Sequence, residues 1–157
     1  MNGNELRLPL NRQICYIFLV ISFLSFGCGK DEVKPSEDSV LAQNALRSIE
    51  KIKEAYQTKN LSPVSDLIDS GMLARLKEEL NFNKAALSFS TPRVIKITDS
   101  HVTVSVNWQG NWELGSVTRV NRGSSRFVFL KNSMQLAEIE DDNPFSIPIN
   151  RNGKNQR

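Results

Sequence analysis

The residues best equipped for chemistry in this chain are few: Cys15 and Cys28, the single histidine His101, Tyr56, and the pair Trp108 and Trp112. A metal site needs several ligands at coordinated spacing, and one histidine with no cysteine beyond position 28 does not supply them. Glu138, Glu140, Asp141 and Asp142 concentrate negative charge. A calcium loop also needs a glycine turn among its oxygens, and that stretch has none, so the acids read as a solvated strand end. His101 falls on the polar side of an alternating segment and Asp99 beside it suits a turn, so neither has the acid–base partner that catalysis requires. The sequence carries no Ser/His/Asp constellation, glycine-rich phosphate loop or internal repeat. It therefore offers no catalytic residue, no metal site and no cofactor.

What remains is a candidate ligand-cavity wall. Trp108 and Trp112 lie four apart on one side of a strand, Tyr56 lies on the apolar face of a helix, and Arg119 could stand near the mouth. A packed core is the commoner fate of such aromatic residues, and the cavity is the sharper alternative.

The net charge of +3 does not point to nucleic acid. Arg7, Arg12 and Glu5 lie in the first 27 residues, and Arg151, Lys154 and Arg157 lie in the last eight. Between Cys28 and Ile149 there are 15 basic and 16 acidic residues, a near-neutral body with no basic face.

The two cysteines bracket an address. Residues 1–13 are polar with two arginines, and Ile14 to Phe26 is an almost unbroken apolar run of 13 residues, followed by Gly27, Cys28 and the polar GKDEVKPSEDS. A positive start, a short apolar core and a small residue before a cut form the secretory layout, and 13 residues fall short of the roughly 20 that span hydrocarbon. Removal of 1–27 would leave Cys28 as the sole thiol of an exported chain, unable to form an internal disulfide. Leu24-Ser25-Phe26-Gly27-Cys28 resembles the bacterial lipoprotein signal. That resemblance implies a diacylglycerol on the Cys28 sulfur and peptidase recognition through Leu24, Ser25, Phe26 and Gly27. Gly27 matches the small residue of the pattern, whereas Ser25 and Phe26 depart from it and Leu24 is displaced one position outward. Two acyl chains hold a protein on a membrane where one does so only marginally. Residues 28–35 then form a flexible tether.

The body must position the aromatic residues. From Ser36 to Thr58, apolar residues recur at Leu41, Ala45, Ile49, Ile52 and Tyr56, the spacing of one helical face, with Ser36 as cap. Ser62-Pro63 starts a short second helix, with Ser62 as its cap, that stops near Gly71 in a left-handed turn. A third runs from Met72 to about Leu80 with Leu73, Leu76 and Leu80 inward. Beyond Asn83 the period becomes two: Val102, Val104, Val106, Trp108, Gly110 and Trp112 share one face, and Thr103, Ser105, Asn107, Gln109, Asn111 and Glu113 the other. That predicts a long antiparallel strand with one dry face, bent or bulged at Gly110. Val94–Thr98, Val117–Val120, Arg126–Lys131 and Met134–Glu140 complete a meander, with turns at Asp99-Ser100 and Asn132-Ser133.

Helices followed by a curved antiparallel sheet make an α+β layer. The order of elements, the stretch AYQTKNLSPVSDLIDS and the segment RGSSRFVFLKNSMQLAEIEDDNPF resemble the nuclear transport factor 2-like, cystatin-like superfamily, whose roll encloses a cone-shaped cavity. The expected organisation is a lipoprotein signal at 1–27, a tether at 28–35, the roll at 36–148 and a polar tail at 149–157. The expected function is that of a lipid-anchored envelope protein, facing the periplasm or exterior, whose non-catalytic domain binds a protein partner or small apolar ligand. A homodimer through the sheet face is a further expected contact. Two alternatives stand beside this: a small cavity enzyme of the isomerase or dehydratase type, and a membrane-tethered scaffold subunit.

Overall fold

Ser36 opens the first helix as its type suggests. Its hydroxyl accepts the amide of Ser39 at 3.2 Å, and Glu37 and Asp38 face the positive end of the helix dipole. The computed structural model describes residues 34–148. The signal residues Leu24, Ser25, Phe26 and Gly27, the lipidation candidate Cys28, most of the tether, and the tail at 149–157 lie outside the described residues.

Helix α1 spans Glu37–Gln57 and buries Ala45, Ile49, Ile52 and Tyr56, with Leu41 partly covered on the same side. The Thr58 hydroxyl then bonds the Glu54 carbonyl at 2.9 Å, and Lys59 takes a positive φ of 57° to turn the chain out. Ser62–Leu67 is a single 3₁₀ segment opened by Pro63. Leu61 stands at the cap position without a side-chain bond, so Ser62 is not the cap that its type suggests. Gly71 does not stop this segment either. Ile68 is extended and bridges Leu136, and the Asp69 carboxylate accepts the Gly71 amide at 2.9 Å, capping helix α2 over Ser70–Glu78. Gly71 therefore lies inside α2, and Met72 joins Leu76 in its buried stripe while Leu73 and Leu80 are only partly covered.

Five strands follow: β1 Lys84–Phe89, β2 Val94–Ile97, β3 His101–Leu114, β4 Val117–Leu130 and β5 Leu136–Asp141. All pair antiparallel, in the order β1-β3-β4-β5, with β2 continuing the β1 side of β3. The domain is α+β, helices first and an antiparallel sheet after. The alternation along β3 is obeyed throughout: Val102, Val104, Val106, Trp108, Gly110 and Trp112 are buried, and the residues alternating with them are half-buried or exposed. Gly110 makes no bulge, because the β3–β4 register runs unbroken from His101–Leu130 to Leu114–Val117. It makes room instead. A Cβ at Gly110 would overlap the indole of Trp112 and the side chain of Leu87.

The meander differs from expectation in two places. β1 was not evident from the sequence, since Ala85 and Leu87 make a short, weakly β-prone inward face. β4 is one continuous strand rather than two pieces, joined to β3 by the turn at Gly115, whose φ is 61°. The irregularity in the sheet falls between β4 and β5, where the register shifts at Val128/Phe129. α1 packs on β1, β2 and β3, and α2 meets β5, so the helices cover the valine–tryptophan face.

Candidate functional site

The inner face of β3 ends in two tryptophans because their spacing of four leaves Gly110 between them, and Trp112 can lean back over it. The two indoles meet edge to face, with centroids 6.3 Å apart. Tyr56, from the last turn of α1, meets Trp112 from the helix layer. The indole Nε1–H of Trp112 donates to the Tyr56 hydroxyl at 3.0 Å, with both residues wholly buried. The Tyr56 hydroxyl in turn reaches the Glu79 carbonyl at 3.5 Å. Burial pushes the Tyr56 phenol up to about 12; the Trp112 hydrogen bond pulls it partly back and the Glu79 charge adds to the rise. A phenol so far above neutral pH stays protonated and is no general base there.

The segment that follows β5 closes over these residues. Past β5, Asp142–Pro148 runs across the inner face and carries Phe145 into the interior, fully buried. Phe145 packs 5.1 Å from Tyr56, 6.1 Å from Phe127 and 6.3 Å from Phe89, between ring centroids. Polar bonds fasten the segment along its length. Trp108 Nε1–H donates to the Asp142 carbonyl at 3.3 Å, and the Ser125 hydroxyl donates to the same oxygen. The Asn143 side chain accepts the Phe145 amide at 2.9 Å, and the Glu79 carboxylate accepts the Ile147 amide at 3.1 Å and the Ser146 hydroxyl at 3.4 Å. The Arg119 guanidinium donates to the Pro148 carbonyl.

The four candidate cavity residues are thus divided. Tyr56 and Trp112 belong to the packed interior, bonded to each other. Trp108, only 4% exposed, forms one wall of a cleft of about 480 Å³. Asn121, Asp142, Asn143, Ser146, Ile147 and Pro148 form the rest of that wall, and Arg119 lies at its Pro148 end. The lining mixes amide, carboxylate and hydroxyl groups with one indole, a surface able to hydrogen-bond a polar ligand or a peptide. His101 stands apart from this, seven residues up β3 from Trp108, about 23 Å along the strand. Its ring Nδ1 is 2.8 Å from the Ser100 hydroxyl, and Asp99-Ser100 forms the β2–β3 turn. Glu140 and Asp141 pair with Arg126 on the sheet. Among the described residues no group of three or more His, Cys, Asp or Glu is placed to hold a metal ion, and no helix is long and apolar enough to cross a membrane.

Glu79 and Phe145 were not singled out from the sequence. Glu79 sits at the end of α2 as one charge among several, and its role as an anchor for Ser146 and Ile147 depends on residues nearly 70 positions away. Phe145 did carry a signal: a large aromatic residue directly after Asp142-Asn143-Pro144, in a short exit segment whose other large apolar residue is Ile147. Comparison with protein-family models and with curated proteins finds no match for the chain.

Proposed function

We propose that this chain is a lipid-anchored protein of the bacterial envelope, facing the periplasm or exterior. Its α+β domain, of the nuclear transport factor 2-like, cystatin-like kind, serves as a non-catalytic binding module. The observation that carries the anchor is the sequence Gly27-Cys28 closing a 13-residue apolar run, with no further cysteine in the 129 residues after it. Once residues 1–27 are removed, a thiol at that position has no second cysteine to pair with and is suited to acylation.

The binding role rests on the distribution of space. Phe145 fills the interior beside Tyr56, Phe89 and Phe127, and the cleft beside Trp108, Asn121 and Asn143 is a concavity open to a partner. A partner would meet this domain at its surface, through hydrogen bonds to the cleft wall.

The anchor is tested by labelled fatty acid, gel mobility and intact mass. Only the Cys28 sulfur can form the thioether, so Cys28→Ser abolishes label and accumulates as uncleaved precursor, while Cys15→Ser retains label. The mature protein lacks residues 1–27. Label on the Cys28→Ser chain, or a mature protein still beginning at Met1, refutes the lipid anchor.

A further inference from the structure

The edges of a sheet present unpaired N–H and C=O groups, which proteins blunt with charge, proline, bulges or covering segments. Two edges here are treated so. The β1–β2 side carries Lys84 and Lys96 and is interrupted at Ser90–Arg93, where Pro92 sits. The β5 side has the register shift, the acids Glu138 and Glu140, and a cover from the Ile68–Asp69 segment, whose Asp69 amide bonds the Leu136 carbonyl at 2.9 Å. The third edge is the first half of β4. β5 pairs only with Ser125–Phe129, so Val117 to Gly123 projects beyond it.

The orientation of that edge follows from its neighbours. Both the N–H and the C=O of Ser124 face away from β3, since they bond the Asp142 side chain at 3.3 Å and the Asp142 amide at 3.0 Å. Peptide groups alternate sides along a strand, so those of Thr118, Val120 and Arg122 face the same way. The two-residue turn at Gly115-Ser116 agrees, because it makes Leu114 and Val117 a hydrogen-bonded pair. Among the described residues, these three N–H and three C=O groups have no partner. The side chains around them are β-branched and open: Val117 is 52% and Val120 63% exposed.

We propose that this edge pairs antiparallel with the same edge of a second copy of the chain, about a two-fold axis at Val120. In that register Val120 faces Val120 of the second copy, and Thr118 faces Arg122 of the second copy. Each of the three residue pairs exchanges two backbone bonds, and every free N–H and C=O of both copies is satisfied. An axis at Arg122 would oppose two guanidinium groups and leave Thr118 unpaired; an axis at Thr118 would leave Arg122 unpaired. The Val120 axis puts apolar on apolar at the centre and a hydroxyl against each arginine. The contact closes after two copies, as a two-fold interface must, because Asp142 already occupies Ser124 and stops the ladder. The interface is small, so the dimer is reversible and concentration-dependent. The pairing rests on strand geometry alone and stands whether or not Cys28 carries lipid.

The test uses the whole 157-residue chain in detergent. A hydrogen-bonded antiparallel pair places its Cα atoms about 5.5 Å apart, within disulfide range. Val120→Cys therefore forms a disulfide dimer under mild oxidation at several times the yield of the parent. Thr118→Cys does not, since its two sulfurs would lie about 13 Å apart along the strands. Val120→Pro removes only the outward N–H and spares the β3 ladder, so it shifts sedimentation to monomer with an unchanged melting curve. Should that variant misfold, Val120→Lys sets two like charges at the axis of a fully folded domain and gives the same shift. Crosslinking of Val120→Cys no greater than that of the parent or of Thr118→Cys overturns the pairing. So does a dimer that survives Val120→Lys. A parent chain that stays monomeric at every concentration also overturns it and leaves the edge to a strand of another protein.

Discussion

Replacing Phe145 with alanine separates a packed interior from a ligand pocket. The ring is fully buried, touches Tyr56, Phe127 and Phe89, and sits on a segment with no regular secondary structure. Phe→Ala at such a site costs about 3–5 kcal/mol, from lost transfer energy plus the cavity left behind. A domain of this size is stable by roughly 5–15 kcal/mol, so the variant folds but with a reduced margin. With a urea m-value of about 2 kcal/mol/M, a loss of ~4 kcal/mol lowers the midpoint by ~2 M. Trp108 and Trp112 report the transition, since both indoles are buried. The vacated space is lined by aromatic rings, and an apolar cavity of that kind stays dry and accepts benzene or indole. A ligand at about 100 times its dissociation constant restores ~2.7 kcal/mol to the variant and nothing to the parent. A loss below about 1.5 kcal/mol refutes the view that Phe145 is part of the core. Equal stabilisation of parent and variant by benzene shows instead that the native interior is a pocket.

Val104→Asp, which puts an unpaired charge at a fully buried position of β3, costs several kcal/mol, whereas Thr103→Asp on the opposite face costs less than about 1 kcal/mol; equal costs in urea titration refute the register. Tyr56→Phe strands the Trp112 indole N–H and costs about 1–3 kcal/mol by the same titration. Folding raises the Tyr56 phenol from about 10 to about 12, so the parent keeps its full stability below pH 10 and loses part of it, on the order of 2–3 kcal/mol, as pH rises through 12. A chain from Lys34 onward has Tyr56 as its sole tyrosine. An alkaline stability profile no steeper than that of Tyr56→Phe refutes the assignment.

The parts of the fold legible in the sequence are those where one face is dry and the other wet. α1 shows its 3.6 period through Ala45, Ile49, Ile52 and Tyr56, and β3 shows its period of two because the helices cover one side and water the other. The first half of β4 has no such pattern. Its inward residues are Arg119, Asn121 and Gly123, polar or small because they face the exit segment, through the Pro148 carbonyl and the Asp142 side chain, rather than an apolar layer. Continuity of that strand is imposed by its partner, not by its own composition. The site was legible residue by residue but not in its arrangement. Trp108, Trp112 and Tyr56 are conspicuous by type, yet the hydrogen bond between Trp112 and Tyr56 joins residues 56 positions apart and follows from tertiary packing alone. The cap at Asp69 escaped for a similar reason, since Asp-Ser-Gly reads equally as a stop and as a start until Ile68 is seen to bridge Leu136.

The exit segment links these observations to function. Asp142 holds Trp108 and Ser125 through its carbonyl and Ser124 through its carboxylate, and Gly123 has no side chain because Asp142 lies where a Cβ would be. One residue thus ties down the tryptophan of the cleft, closes the β5 side of β4 and sets the point from which the open edge begins. Phe145, three residues on, fills the interior. Any ligand entering the aromatic core must first displace Phe145 and break the Glu79 contacts to Ser146 and Ile147, whereas a partner at the cleft or at the Val117–Gly123 edge displaces nothing. The energetic asymmetry favours surface recognition. Several buried contacts and hydrogen bonds oppose the first route, and only the ordering of exposed side chains opposes the second.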